Sequence, residues 1–331
     1  MEHQTESMKA FEFDRKLAAG RVIQDQVDEW LSDAVDAAKR MTEGEDDEAL
    51  HDFRVALRRL RSWLRLFPKL HGFSKKTLRQ LKALGRATNS ARDFEVALHC
   101  VRLLQTEDNP QAMEAALHLV KRSLKKRVAN ETKSVLSNSL AQWAHVLARL
   151  EKPTLPAGKR AHAPFAEAYL DAIENQLERW DKAWTSPNLC QHIEDLHVLR
   201  IESKRLRYAL EWWAKHDDDV AALVKDLKGL QDTLGEHRDW SLLIAHTASL
   251  AAAQTDGVVL RAAHAASENN AAEFLPPESL GQFIALAQRC GAKQAQLIAR
   301  FAQRYDDAWR QQWRKRLVAI MAGQEHASEV D

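Results

Sequence analysis

Leu50-His51-Asp52-Phe53-Arg54-Val55-Ala56-Leu57-Arg58-Arg59-Leu60-Arg61-Ser62-Trp63-Leu64-Arg65-Leu66-Phe67 reads as one amphipathic helix with an unusual polar face. At ~100° per residue, His51, Arg54, Arg58, Arg61 and Arg65 follow steps of 3, 4, 3 and 4 and fall in a stripe roughly 80° wide. Phe53, Leu60, Leu64 and Phe67 lie about half a circle away. One face therefore anchors the helix and another presents a row of cations. Like charges at these spacings repel by ~0.2–0.5 kcal/mol per pair. The row contains no acid of its own, because Asp52 points elsewhere. At a rise of 1.5 Å per residue it is ~20 Å long, too long for one phosphate and suited to an extended polyanion. Guanidinium groups fork onto phosphate oxygens, and this row prefers Arg to Lys.

The same pattern returns 146 residues later. Leu196-His197-Val198-Leu199-Arg200-Ile201-Glu202-Ser203-Lys204-Arg205-Leu206-Arg207 repeats the spacing and the residue types. His197, Arg200, Lys204 and Arg207 occupy the cation stripe, while Leu199, Leu206, Leu210 and Trp213 occupy the apolar one. In the same register Leu81, Lys82 and Leu84 meet Leu227, Lys228 and Leu230, and Arg92-Asp93 meets Arg238-Asp239. Several matches in one ungapped register indicate an internal duplication, with a unit far longer than a solenoid repeat. The Arg-Asp doublets suggest salt bridges between helices, with Arg92 and Arg238 as further candidate anion contacts beside Lys82 and Lys228. The copies are unequal, since Glu211 stands where the first has Arg65.

Around these rows the chain reads as helix throughout. Of 331 residues only 11 are Gly and 8 Pro, and 45% are hydrophobic, which favours an all-α fold without long disorder. Helices are expected from about 11 to 40 and from the acids at 45–48 to Pro68. Others are expected over 74–105 with a break near 88–90, and over 110–150. The segment 152–158 is the clearest linker. Helical pattern resumes at Pro164, pauses at 186–188, runs to about 272, pauses at Pro276-Pro277 and ends beyond Trp313. The ten Trp sit at core-like spacing. Forty-eight basic and 47 acidic residues give a net charge of +1, so an anion site must come from local clustering. Nucleic-acid binders usually carry a larger basic excess. Cys100, Cys190 and Cys290 have no metal or disulfide spacing, the N-terminus lacks a signal-peptide pattern, and no apolar run approaches a membrane span. A cytoplasmic location without membrane contact is the simplest expectation.

The segments His-x-x-Arg-Val-x-x-Arg-Arg-Leu-Arg-Ser-x-Leu-Arg-Leu-Phe at 51–67 and His-x-x-Arg-Ile-x-x-Lys-Arg-Leu-Arg-Tyr at 197–208 resemble the two signatures of the CHAD family, the conserved-histidine α-helical domains. The resemblance spans about residues 8–322. It implies two pseudo-symmetric four-helix bundles, over 8–150 and 164–322 with a linker at 151–163, and a basic cavity or pore. It also implies binding of inorganic polyphosphate, no catalysis, no cofactor, and recruitment to polyphosphate granules. Carried over by position, the polyphosphate-binding residues are His51, Arg54, Arg58, Arg61, Arg65, His197, Arg200, Lys204 and Arg207. The chain departs from the family at Thr88-Asn89-Ser90, where the Gly found before Arg238 as Gly235 has no counterpart before Arg92.

Two other readings compete. His51-Asp52 mimics the doublet of metal-dependent phosphohydrolases, but Asp52 becomes Val198 in the second copy. Nucleic acid would use the same Arg row, since phosphates are shared, though no base-reading element is evident. The basic run Lys121, Arg122, Lys125, Lys126 and Arg127 has no counterpart in the second copy and reads as a solvated face.

Overall fold

The computed structural model describes residues 17–43, 48–87, 89–106, 113–138, 159–187, 189–190, 192–267 and 279–329. The described residues form ten α-helices and no named strand. They are α1 (Ala19–Glu43), α2 (Ala49–Leu66), α3 (Lys75–Ala87), α4 (Asn89–Gln105), α5 (Glu114–Asn138), α6 (Phe165–Trp184), α7 (Ile193–Leu210), α8 (Asp218–Ser267), α9 (Ser279–Arg304) and α10 (Asp307–Glu329). The acids at 45–47, the linker at 152–158 and Pro276-Pro277 lie outside the described residues, as do the expected helical stretches at 11–16, 110–112 and 139–150.

Of the expected break near 88–90, Asn89 and Ser90 are helical at the start of α4, and Thr88 lies outside the described residues. Two expected continuous stretches are not continuous. The stretch running to 272 is interrupted between α7 and α8 by a turn with a short 3-10 segment, Trp213–Lys215. The C-terminal stretch splits at Tyr305-Asp306. Neither place holds Gly or Pro. Each restart is capped by an aspartate whose carboxylate accepts a backbone N–H three residues on: Asp217 from Val220 at 3.0 Å and Asp306 from Trp309 at 2.7 Å. The corresponding turn of the first copy is punctuated by Pro68 and by Gly72, whose φ of 62° is the left-handed conformation glycine tolerates.

The chain divides into two compact units. The first comprises residues 1–88, 135–234 and 301–331, the second 89–134 and 235–300. The cuts after Thr88 and after Leu234 are themselves 234 − 88 = 146 residues apart, so each unit draws on both copies.

In the first unit the aromatic core joins the copies. Trp63 and Phe67 of α2 lie 6.3 and 6.2 Å from Phe165 of α6, and Trp63 lies 6.5 Å from Trp212. The starts of the copies exchange two backbone bonds: Ala19 N–H donates to Ala163 C=O and Phe165 N–H to Leu17 C=O, both at 2.9 Å. That exchange is reciprocal in the 146-residue register. So is a buried pair of side-chain bonds, Trp63 Nε1 donating to Ile23 C=O at 3.3 Å and Tyr169 Oη donating to Ala209 C=O at 2.6 Å. The donor sits on the second helix of the copy in one case and on the first in the other. A buried indole N–H or phenol O–H usually finds such a partner.

The second unit is closed by a separate apolar cluster. Val101, Leu104, Leu117, Val120 and Leu124 pack with Leu243, Phe283 and Leu286.

Candidate functional site

α2 is built as its periodicity requires. Phe53, Leu57, Leu60, Trp63, Leu64 and Phe67 are buried, whereas His51, Arg54, Arg58, Arg61 and Arg65 all reach solvent. Asp52, off the stripe, pairs at 2.5 Å with Arg40 of α1. On α7, Leu199, Leu206 and Leu210 are buried, and His197, Arg200, Lys204 and Arg207 are exposed or half-buried. Both rows belong to the first unit. α2 packs on α7 there.

Tyr208 joins the two rows. Its ring centroid lies 5.6 Å from Arg58 Cζ of α2, 5.9 Å from Lys204 Nζ and 4.4 Å from Arg207 Cζ. Burial pushes the Tyr208 hydroxyl pKa up, against the opposing pull of Arg58 and Arg207. The ring therefore serves three cations as a neutral π-face, which holds them without cancelling their charge. Tyr208 lies within the second motif but outside the site residues that the sequence indicates. Its contact with Arg58 arises between helices, where the periodicity of either helix carries no signal.

Arg58, Arg61 and Arg65 make no ion pair and no side-chain hydrogen bond among the described residues. Arg58 Nε is itself buried and unsatisfied. The Arg61 guanidinium lies over Gly85 of α3, where an added Cβ would collide with Nη1. Burial, and then the neighbouring Arg86, lowers the Arg61 pKa. The Arg65 pKa is lowered by burial first, then by Arg205 and Arg61, with Glu202 opposing and Arg179 adding to the repulsion. Guanidinium groups crowded without an ion pair among the described residues are relieved by an anion, which would supply charge-assisted hydrogen bonds.

The second row is quieter. In the repeat register Arg207 corresponds to Arg61 and Gln231 to Gly85. Gln231 Oε1 accepts a 3.1 Å bond from Arg207 Nε, and its amide donates to Ser203 C=O at 3.1 Å. Glu211, at the position of Arg65, pairs with Arg207 at 2.5 Å. The same contact is made in both copies, but only the second gives its arginine acceptors.

Lys82 on α3 and Lys228 on α8 are exposed and belong to the same unit as the rows. Arg92 and Arg238 belong to the second unit. There Arg238 Nη1 and Nη2 each donate to the Asp93 carboxylate at 3.1 Å, so the doublets meet as an ion pair across the copies, α8 to α4. Among the described residues Arg92 makes an exposed 3.4 Å contact with Glu95. In the basic run of α5, Lys121 donates to Gln105 at 2.7 Å and Arg127 lies 5.4 Å from the Phe94 ring. Among the described residues no group of three or more His, Cys, Asp or Glu is placed to hold a metal ion, and no helix is long and apolar enough to cross a membrane.

These features define a class: an all-α scaffold in which two copies of one helical motif set matching cation rows in a single compact unit. A model of the CHAD domain matches residues 21–248, and the chain belongs to the CHAD domain family. Its structure is similar to the crystal structure of the CHAD domain from the plant Ricinus communis, with 22% identity, 91% of this chain and 93% of that chain covered, and a TM-score of 0.59. It is also similar to PptA from Streptomyces chartreusis, with 16% identity, 90% and 99% covered, and a TM-score of 0.57. At such identities the likeness establishes the fold alone. No curated protein matches the chain.

Proposed function

We propose that this protein binds long inorganic polyphosphate along the cation rows of α2 and α7 and does not turn it over. The observation that supports this most is the run Arg58, Arg61 and Arg65, three guanidinium groups on one stripe that make no ion pair and no side-chain hydrogen bond among the described residues. Polyphosphate repeats its charge at short, regular intervals along a flexible chain. It can therefore meet successive arginines one helical turn apart while crossing to Lys204 and Arg207 at the Tyr208 ring. Membership of the CHAD family supports the same ligand. Such binding would recruit the protein to polyphosphate granules, with the cytoplasm as the proposed location. The pairing of Asp52 with Arg40 supports a binding rather than a hydrolytic role for the His51-Asp52 doublet.

A titration of size-fractionated polyphosphates at several salt concentrations tests the proposal. Affinity should rise with chain length until both rows are filled, and each engaged phosphate should steepen the fall of log K with log salt by a little under about one unit. Length-independent, salt-insensitive binding would reject the proposal. So would release of orthophosphate from the polymer in the presence of Mg²⁺.

A further inference from the structure

Beyond Arg65 the first row opens into a cavity of about 600 Å³ within the first unit. Such a volume is in the usual ~300–1,000 Å³ range of small-molecule sites. One wall is the end of α2 and the turn after it, and the other is α6. The α6 wall carries Glu167, Asp171, Asn175 and Arg179, one helical turn apart. Over ~18 Å it passes from two acids through an amide to a cation. Arg179 stands at the end of the wall near Arg65, close enough for the two guanidinium groups to repel. Neither makes an ion pair or a side-chain hydrogen bond among the described residues. Glu202, the carboxylate nearby, is already committed: it accepts from buried Gln176 at 2.8 Å and pairs with Arg205. The cavity thus has a cationic mouth facing the α2 row and an acidic far end, with Lys69 on the α2 side.

We propose that this cavity receives the terminal phosphate of a linear polyphosphate, held between Arg65 and Arg179. A chain arriving along α2 cannot continue past Asp171 and Glu167 without like-charge contact. A chain end needs no continuation. It also matches two cations better than an interior phosphate does, because an end group loses a second proton near neutral pH and carries close to ~2 charges. The cavity thereby fixes the register of the polymer on α2 and makes the binding of short chains depend on free ends. This rests on reading α2 as the polyanion track.

The test compares linear hexaphosphate with the cyclic six-phosphate ring, which has no ends, by calorimetric titration at one salt concentration. The full chain and its Arg179→Gln variant are both used, and long polyphosphate is titrated alongside. Arg179 is exposed and lies outside both motifs, so circular dichroism should be unchanged. The linear form should bind about tenfold more tightly than the ring, and Arg179→Gln should erase that advantage while long-chain affinity stays within about threefold. Equal binding of linear and cyclic forms by the unmodified protein overturns the end site and leaves the α2 track standing. An advantage that survives Arg179→Gln does the same. Failure of the unmodified protein to bind long polyphosphate overturns the track itself, and the end site with it.

Discussion

α2 and α7 carry cations at the same spacing, on helices that bury the same apolar stripe, yet their polar faces are in different electrostatic states. On α2, Arg61 lies over Gly85 with no hydrogen-bond acceptor among the described residues, and Arg65 adds a further cation at the end of the row. On α7, Arg207 is held by Gln231 and Glu211. Two substitutions between the copies, Gly85 against Gln231 and Arg65 against Glu211, account for the contrast. A duplicated motif preserves where a charge is placed. Whether that charge is available depends on the residue one helix away. On the proposed reading the first row is the stronger anion-binding half, and the second guides the polymer across Tyr208.

The largest effect should come from stripping each row in turn. Charge-assisted hydrogen bonds contribute about 1.5–3 kcal/mol each, so replacing Arg54, Arg58 and Arg61 together by Ala should weaken long polyphosphate binding by at least ~100-fold. Replacing Arg200, Lys204 and Arg207 together should cost only about tenfold, because the lost cation Arg207 was already partly neutralised. Titration calorimetry at one salt concentration decides it, and equal losses would remove the distinction between the rows.

A smaller effect should follow from making the second copy resemble the first. Glu211→Arg removes the partner of Arg207 and adds a fifth cation. Affinity should rise about fivefold, and the salt dependence should steepen by roughly one to two units of slope. Unchanged slope would mean that the end of the α7 row does not meet the polymer.

Gly85→Ala probes the contact beneath Arg61. The new methyl group must displace the guanidinium, and affinity should fall by about threefold to tenfold with little change in melting temperature. The loss should vanish in an Arg61→Ala background. If it persists there, Gly85 acts through α3 rather than through Arg61.

The smallest effect concerns the second unit. Asp93→Asn breaks the two-bond pairing with Arg238 and should cost about 1 kcal/mol, a drop of a few degrees in melting temperature by circular dichroism. Polyphosphate affinity should hold. A large affinity loss would promote Arg238 from a structural to a binding role.

Much of this is legible in the sequence. Helical periodicity separated the buried face of α2 from its cations, because the separation is a property of a single helix. The 146-residue register located the second row by the same means. Eight of the nine described Trp are buried, as their spacing implied. Less was legible where partners come from other helices. The Arg-Asp doublets suggested salt bridges, but not that Arg238 would choose Asp93. Nothing in the spacing of α2 pointed to Gly85, Arg179 or Tyr208. The breaks at 211–217 and 305–306 were missed because no Gly or Pro marks them. Their signal was an aspartate followed by acids, Asp217-Asp218-Asp219 and Asp306-Asp307, which suits a capped helix start. The register pointed to the first break too, since Asp217 corresponds to His71 in the turn after α2.

The central claim is that the rows recognise polyphosphate and not phosphate charge in general. Long polyphosphate and single-stranded DNA of matched total charge, titrated side by side at one near-physiological salt concentration, test it most directly. Polyphosphate carries a charge on every unit with no sugar or base between them, so it can meet successive arginines more closely than DNA does and should bind at least ~100-fold more tightly. Equal affinity for the two polymers would contradict the claim.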